Sequence, residues 1–206
     1  MMGFASLNPS YIAMTRPKIL VFAGSIRTGS HNTRLAALAT RLLALEEAEP
    51  TRISLQDFPL PLYDGDLEAR SGPPARAVDL KRLMMQHAGV FIATGEYNAS
   101  VTPLLKNTID WISRVREGTE APLAAFRNRV FALGAASPGT LGGYRGLMAV
   151  RQALELGCGA TVLPEQVAVR DAANAFDAAD GLHDQRTAEA LRALLRRLVD
   201  AARYLA

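Results

Sequence analysis

Five short strand-like runs, continuous and apolar at their clearest and each followed by a helix-patterned stretch, constrain this chain more than any other feature of it. A continuous run suits a strand buried on both faces, which is the situation of an inner strand in a parallel sheet. The runs lie at 18–23 (KILVFA), 51–55 (the weakest), 89–93 (GVFIA), 129–133, and from 161–163 onward. Between them apolar residues recur at helical spacing. Leu35, Leu38, Leu42 and Leu45 follow Asn32; Val78, Leu83 and Met84 lie within 75–87; Leu105, Ile109 and Ile112 follow a Thr102 cap and a first-turn Pro103. A helix over 144–156 ends at Gly157, and Leu191, Leu194, Leu195 and Leu198 stripe a last helix over 187–204. Parallel neighbours need crossovers on one face or the other, so the pattern predicts a three-layer, doubly wound α/β fold with a five-stranded parallel sheet. Ligands of such sheets sit beyond the carboxyl ends of the strands, where strand order reverses. Chemistry is therefore expected in the loops after the first, third and fourth strands.

Length and composition remove other classes. The 206 residues suit one domain, taken as 17–206, with 1–16 as a flexible extension and Met14 as a natural start of translation. Hydrophobic residues at 49% and charged ones at 21% support a sizeable core and exclude a disordered chain. The 23 basic residues exceed the 20 acidic by only three, too few for a nucleic-acid partner. Cys158 is the sole cysteine, which excludes an intrachain disulfide and multi-cysteine metal sites and points to the cytosol. His31, His87 and His183 are scattered, so no metal is expected. No leader-like h-region and no apolar run of roughly 18 residues occurs, so no membrane partner is expected either.

The first loop runs Gly24-Ser25-Ile26-Arg27-Thr28-Gly29-Ser30-His31-Asn32. Ser25, Ser30 and Asn32 are neutral donors, Arg27 adds a charged fork, and the following helix offers its free N–H groups and dipole to an anion. An ordinary polar turn, with Ser30 or Asn32 merely capping the helix, is the competing reading; four donors and two glycines in nine residues favour the cradle. No G-K-[ST] follows, G-x-G-x-x-G is missing and no cysteine is present. Such a loop suits a phosphomonoester that is held rather than transferred.

The G-S-x-R-x-x-S-x-N pattern resembles the loop of the NADPH-dependent FMN reductases, relatives of flavodoxin that include quinone, azo-dye and chromate reductases. Two further blocks carry the resemblance: Glu96-Tyr97-Asn98-Ala99-Ser100 with Pro103, Leu105-Lys106-Asn107 and Asp110-Trp111, and Ser137-Pro138-Gly139 with Gly142-Gly143 and Arg145. Gly95 stands where that family usually has proline, which implies a more mobile loop. The resemblance implies a flavodoxin-like strand order 2-1-3-4-5, FMN as cofactor and NADPH or NADH as reductant. It further implies a homodimer or homotetramer, with the helix from Pro103 near the interface. Quinones, free flavin, azo compounds or metal oxyanions are the implied small-molecule acceptors. The residues expected to hold the cofactor are Ser25, Arg27, Ser30, Asn32, Glu96, Tyr97, Asn98, Ala99, Ser137, Gly139, Gly142 and Gly143. No side chain is expected to be catalytic, because the flavin carries the chemistry.

Considered as residues alone, the second loop offers backbone polar groups and the amide of Asn98 to a ring edge, and Tyr97 a flat face with a polar tip; a core Tyr97 and a strand-ending Asn98 are the competing reading. Gly139, Gly142 and Gly143 permit close backbone approach to a planar ligand, or form a plain glycine-rich turn. Lys106, Asn107 and Asp110, spaced along one helix, suit structural or interface roles. Cys158 suits a buried small hydrophobe; His87 and His183 suit the surface or helix ends; Arg192, Arg196, Arg197 and Arg203 suit a solvated helix face. A flavodoxin-like electron carrier and a flavin-binding regulatory protein remain the alternatives to an enzyme, although carriers are usually acidic and this chain is slightly basic.

Overall fold

The computed structural model describes residues 16–205. The extension expected over 1–16, and with it the Met14 start, lies outside the described residues except for Arg16. Strand β1 (Lys18–Ala23) is followed by α1 (His31–Leu45), β2 (Glu49–Arg52), α2 (Gly65–Ser71), α3 (Ala75–Met85), β3 (Gly89–Ala93), α4 (Pro103–Arg114), β4 (Val130–Ala136), α5 (Tyr144–Gln152), β5 (Thr161–Val169) and α6 (Gln185–Arg203). The sheet is parallel throughout, in the order β2-β1-β3-β4-β5.

The continuous runs have the two-faced burial their composition implies. In β1, Ile19 and Val21 face α1 and α6, packing with Leu35, Leu43, Leu195 and Leu198, whereas Leu20 and Phe22 join Leu80, Leu105, Ile109 and Leu147 on the opposite side. Strand order reverses beside β1: the chain leaves β1 through α1 to reach β2 on one side, then returns through α3 to β3 on the other.

The edges differ from expectation. β2 lies two to three residues earlier than 51–55, because Lys18↔Glu49 and Val21↔Arg52 set its register and apolar Leu55 belongs to a 3₁₀ turn capped by Ser54. β4 extends through Gly134, Ala135 and Ala136, small residues that contribute little apolar signal but are all buried. β5 continues past Pro164 because its pairing with β4 slips between Phe131↔Val162 and Leu133↔Gln166, and an irregular edge strand tolerates a missing N–H. Helix α2 was not expected, since none of its residues is buried and it has no apolar stripe to find. The helix expected over 144–156 is α-helical only to Gln152 and ends in a π turn, Ala153–Gly157.

Of the two places expected for His87 it takes the helix end, just past α3, and not the surface. It is 4% exposed, with its Nδ1 2.8 Å from the Leu83 carbonyl oxygen at the end of α3, and burial foremost lowers its pKa. The arginine face of α6 is not simply solvated either, because Arg196 pairs with Glu46, Arg197 with Glu165, and Arg203 with Glu47 and Asp200.

Candidate active site

The carboxyl ends of β1, β3 and β4 finish together, and each following loop is first tied to the neighbouring strand. Gly24 N donates to Ala93 O at 2.8 Å, Thr94 N to Gly134 O at 2.8 Å, and Ser137 N to Val169 O at 3.1 Å. Above them lies a cleft of about 220 Å³ lined by Ser25, Arg27, Ser30, Asn32, Glu96, Tyr97 and Ser137 of the expected set, together with His31 and Thr102. A larger hollow of about 690 Å³ lies against β5 and the start of α6. Position decides between them: only the smaller cleft stands at the reversal of strand order, beside a helix start.

In the first loop Ser30 caps α1, its Oγ accepting from Thr33 N at 3.4 Å while its own O–H remains to donate. The N–H groups of His31 and Asn32, in the first turn of α1, have no carbonyl four residues back to bond. Arg27 donates to the Thr28 and Gly29 carbonyls at 3.1 and 3.2 Å, which braces the guanidinium along its own loop. Asn32 is oriented differently from expectation. Its Nδ2 donates to Ala136 O at 3.0 Å and its Oδ1 accepts from Ala136 N at 2.8 Å, so the side chain staples the loop to the end of β4. The buried His31 Nδ1 has no hydrogen-bond partner among the described residues. Burial first, then the charges of Arg27 and Arg34, lowers the His31 pKa below its ordinary value of 6.5.

The second loop turns sharply. Tyr97 and Ser100 exchange backbone hydrogen bonds of 3.1 and 3.0 Å across Asn98 (φ 49°) and Ala99 (φ 62°); two consecutive left-handed residues make a tight primed turn. Tyr97 is exposed, not packed in the core. Glu96 turns inward and accepts from Arg145 and from Gly146 N at 2.9 Å, in the first turn of α5. Burial raises its pKa, but these donors outweigh it and hold the carboxyl below the usual range. Thr102, expected only as a cap, also donates to Gly24 O at 2.6 Å and joins the first two loops.

In the third loop the protein itself uses two of the glycines. A Cβ on Gly143 would lie 2.7 Å from that of Ala135, and one on Gly142 would lie 2.9 Å from the Val169 carbonyl carbon; both residues have positive φ. Gly139 meets nothing nearer than Ser137 Oγ at 4.0 Å and leaves its side open. Asn98, Ala99, Gly139, Gly142 and Gly143 belong to the loops around the cleft without lining it. Lys106 and Asp110 form an ion pair along α4, and Asn107 bonds Pro61 and Tyr63, as structural roles require. Among the described residues no group of three or more His, Cys, Asp or Glu could hold a metal ion, and no helix is long and apolar enough to cross a membrane.

The sequence model described as NADPH-dependent FMN reductase matches residues 17–174. The chain belongs to that family. Among family relatives, it is 33% identical over 182 residues to an NAD(P)H-dependent FMN reductase of Pseudomonas aeruginosa, covering 88% of this chain and 92% of that one. It is 34% identical over 137 residues to a quinone reductase of Escherichia coli K12, covering 66% and 69%. The solved structure of FerB, a flavoenzyme NAD(P)H:(acceptor) oxidoreductase from Paracoccus denitrificans, superposes with a TM-score of 0.72 at 26% identity, covering 90% of this chain and 97% of that one. As an FMN reductase family member the protein is a flavin-dependent oxidoreductase that uses reduced nicotinamide. The donor set fits FMN: two free first-turn N–H groups, the hydroxyls of Ser25 and Ser30, the Arg27 guanidinium and the buried His31 Nδ1 suit a phosphate dianion.

Proposed function

We propose that this protein is an FMN-dependent NAD(P)H:quinone and flavin oxidoreductase. The observation that carries the reading is the cleft at the β1/β3 reversal, which joins a phosphate-suited loop to a wall without a free acid–base pair. Its one carboxylate, Glu96, is engaged by Arg145 and Gly146. Bound FMN supplies reversible hydride uptake, and the chain supplies binding, orientation and shielding from water. Ser25, Arg27 and Ser30 hold the phosphate, and the Tyr97–Ser100 turn and the open side of Gly139 border the ring. The Glu96–Arg145 contact brings the exposed Tyr97 and Tyr144 to one region of the rim, a surface that suits flat aromatic acceptors. Azo compounds and metal oxyanions are further acceptors for the same two-electron chemistry. The assembly is a homodimer or homotetramer with α4 near the interface, which sedimentation equilibrium tests.

Purified protein loaded with FMN should lose its flavin absorbance band when NADPH is added anaerobically and regain it with a quinone. Parallel double-reciprocal lines at several quinone concentrations are expected, because one face must serve both substrates; intersecting lines would refute the shared face. FMN should bind far better than riboflavin, and Arg27→Ala should weaken FMN binding roughly tenfold to a hundredfold, the loss of one donor to a charged group. Equal FMN affinity in parent and variant would retire the phosphate assignment.

A further inference from the structure

A second crevice, of about 230 Å³, opens on the other side of β1, at the carboxyl ends of β1 and β2. Ser25, Thr33, Arg52 and Ser54 bring polar groups to it, and no carboxylate lines it. Arg52 is the last residue of β2 and lies opposite Val21 in register. It is exposed and forms no ion pair with any described residue. Thr33 is in the first turn of α1, and Ser54 accepts from Gln56 N at 3.2 Å, leaving its O–H to donate. The hydroxyls of Thr33 and Ser54 and an unneutralised guanidinium suit a phosphomonoester dianion.

Ser25 lines both this crevice and the cleft over β1/β3, and neighbouring strands are only about 4.8 Å apart. A ligand seated in one can reach the other. The phosphate of FMN is accounted for by the loop leading into α1, so a further phosphomonoester at Arg52 belongs to a second molecule that meets the flavin. NADPH has such a group and NADH does not.

We propose that Arg52, with the hydroxyls of Thr33 and Ser54, seats the 2′-phosphate of NADPH in the β1/β2 crevice and makes the enzyme prefer NADPH to NADH. This rests on the oxidoreductase reading above. Nicotinamide lies toward the Tyr97 side of the cleft, and the adenosine end crosses the Ser25 loop toward β2.

The test compares parent, Arg52→Ala and Arg52→Lys in the FMN-loaded protein. The ratio of kcat/KM for NADPH over NADH should exceed one in the parent, fall roughly tenfold to a hundredfold in Arg52→Ala, and recover in part with Arg52→Lys. Calorimetry with 2′,5′-ADP provides a readout apart from turnover: it should bind the parent more tightly than 5′-AMP, and lose that advantage in Arg52→Ala. Inorganic phosphate should compete only weakly; if it matches 2′,5′-ADP, the crevice is a free-phosphate site and the proposal falls. A loss shared equally by NADPH and NADH, or a matching loss of FMN affinity, would also overturn it. If the parent oxidises neither nucleotide, the oxidoreductase reading fails, while 2′,5′-ADP binding still decides the crevice.

Discussion

Glu96 and Gly146 are fifty residues apart in the chain, yet the Glu96 carboxylate accepts the Gly146 N–H at 2.9 Å while also bridging to Arg145. A carboxylate carried by the loop after β3 thereby caps the first turn of α5, where the helix dipole favours negative charge. The second and third loops of the cleft are held as one unit.

Glu96→Gln should destabilise the protein by about 1–3 kcal/mol, the scale of a buried hydrogen bond to a charged group. The sign of its pH dependence follows from the lowered pKa of Glu96. Burial pushes that pKa up, and the Gly146 and Arg145 donors more than reverse the shift. A depressed carboxyl adds stability that is full above its unfolded value of about 4.5 and is lost as pH falls through the folded value. Urea unfolding from pH 7 down to pH 3 should therefore show the parent's advantage over Glu96→Gln shrinking below pH 4.5. An advantage that stays undiminished from pH 7 down to pH 3 would mean the carboxylate is not the cap.

Ala99 holds φ at 62°, directly after Asn98 at 49°. A left-handed alanine costs about 1–2 kcal/mol, whereas glycine adopts this conformation freely at the expense of about 0.5–1 kcal/mol of extra chain entropy. Relief of strain exceeds the entropic cost, so Ala99→Gly should raise stability by about 0.5–1 kcal/mol and the melting temperature by about 1–4 °C. Ala99→Val should do the reverse, because a β-branched side chain fits the left-handed region worst. Differential scanning calorimetry of the two variants checks the order.

The parts of this molecule legible in its sequence are those where one residue type implies one environment. The runs of β1 after Lys18 and of β3 carry no polar side chain because both faces are covered, and their positions match the structure. β2 is an edge strand of mostly exposed residues, so Ile53 and Leu55 drew the expected strand toward the following turn. Within the cleft, residue types indicated polarity but not direction. Asn32 is a suitable anion donor by type, and only the fold shows its carboxamide turned onto Ala136. Arg145 as a residue type names no partner, since Glu96 is 49 residues away in the chain. Arg52 had no signal at all: a lone arginine at the end of a weak strand acquires meaning only when β1 and α1 are packed beside it.

Gly95 occupies the position where the family usually has proline, and its φ of +76° is one proline cannot adopt, its ring fixing φ near −65°. The glycine gives the loop a conformation closed to proline. A Cβ there would sit 3.2 Å from both Asn32 Nδ2 and Thr102 Cγ2, the two side chains that tie the loops together. Gly95→Ala should cost about 1–2 kcal/mol from the left-handed backbone alone. Gly95→Pro should cost more and should weaken FMN binding, since the loop must rebuild around a new φ. Urea unfolding together with flavin fluorescence titration measures both effects; a Gly95→Pro protein with parental stability and FMN affinity would show that the loop does not depend on this backbone.

Cys158 is 4% exposed, and burial foremost, reinforced by the charge of Asp110 and opposed by Lys106, pushes its thiol up to about 11. At pH 8 only about one molecule in a thousand then carries the reactive thiolate. The cleft is built from the loops after β1, β3 and β4, whereas Cys158 follows the π turn between α5 and β5, so a thiol there has no part in electron transfer. Iodoacetamide at pH 8 should label the native protein far more slowly than the urea-unfolded chain. Cys158→Ser should lose about 1–3 kcal/mol of stability by placing a hydroxyl among apolar neighbours, and at 25 °C should keep the parent's kcat with NADPH and quinone. Mass spectrometry of alkylated protein and steady-state kinetics measure the two outcomes. A Cys158→Ser enzyme that folds and binds FMN normally but cannot turn over would show that the electrons pass through the thiol.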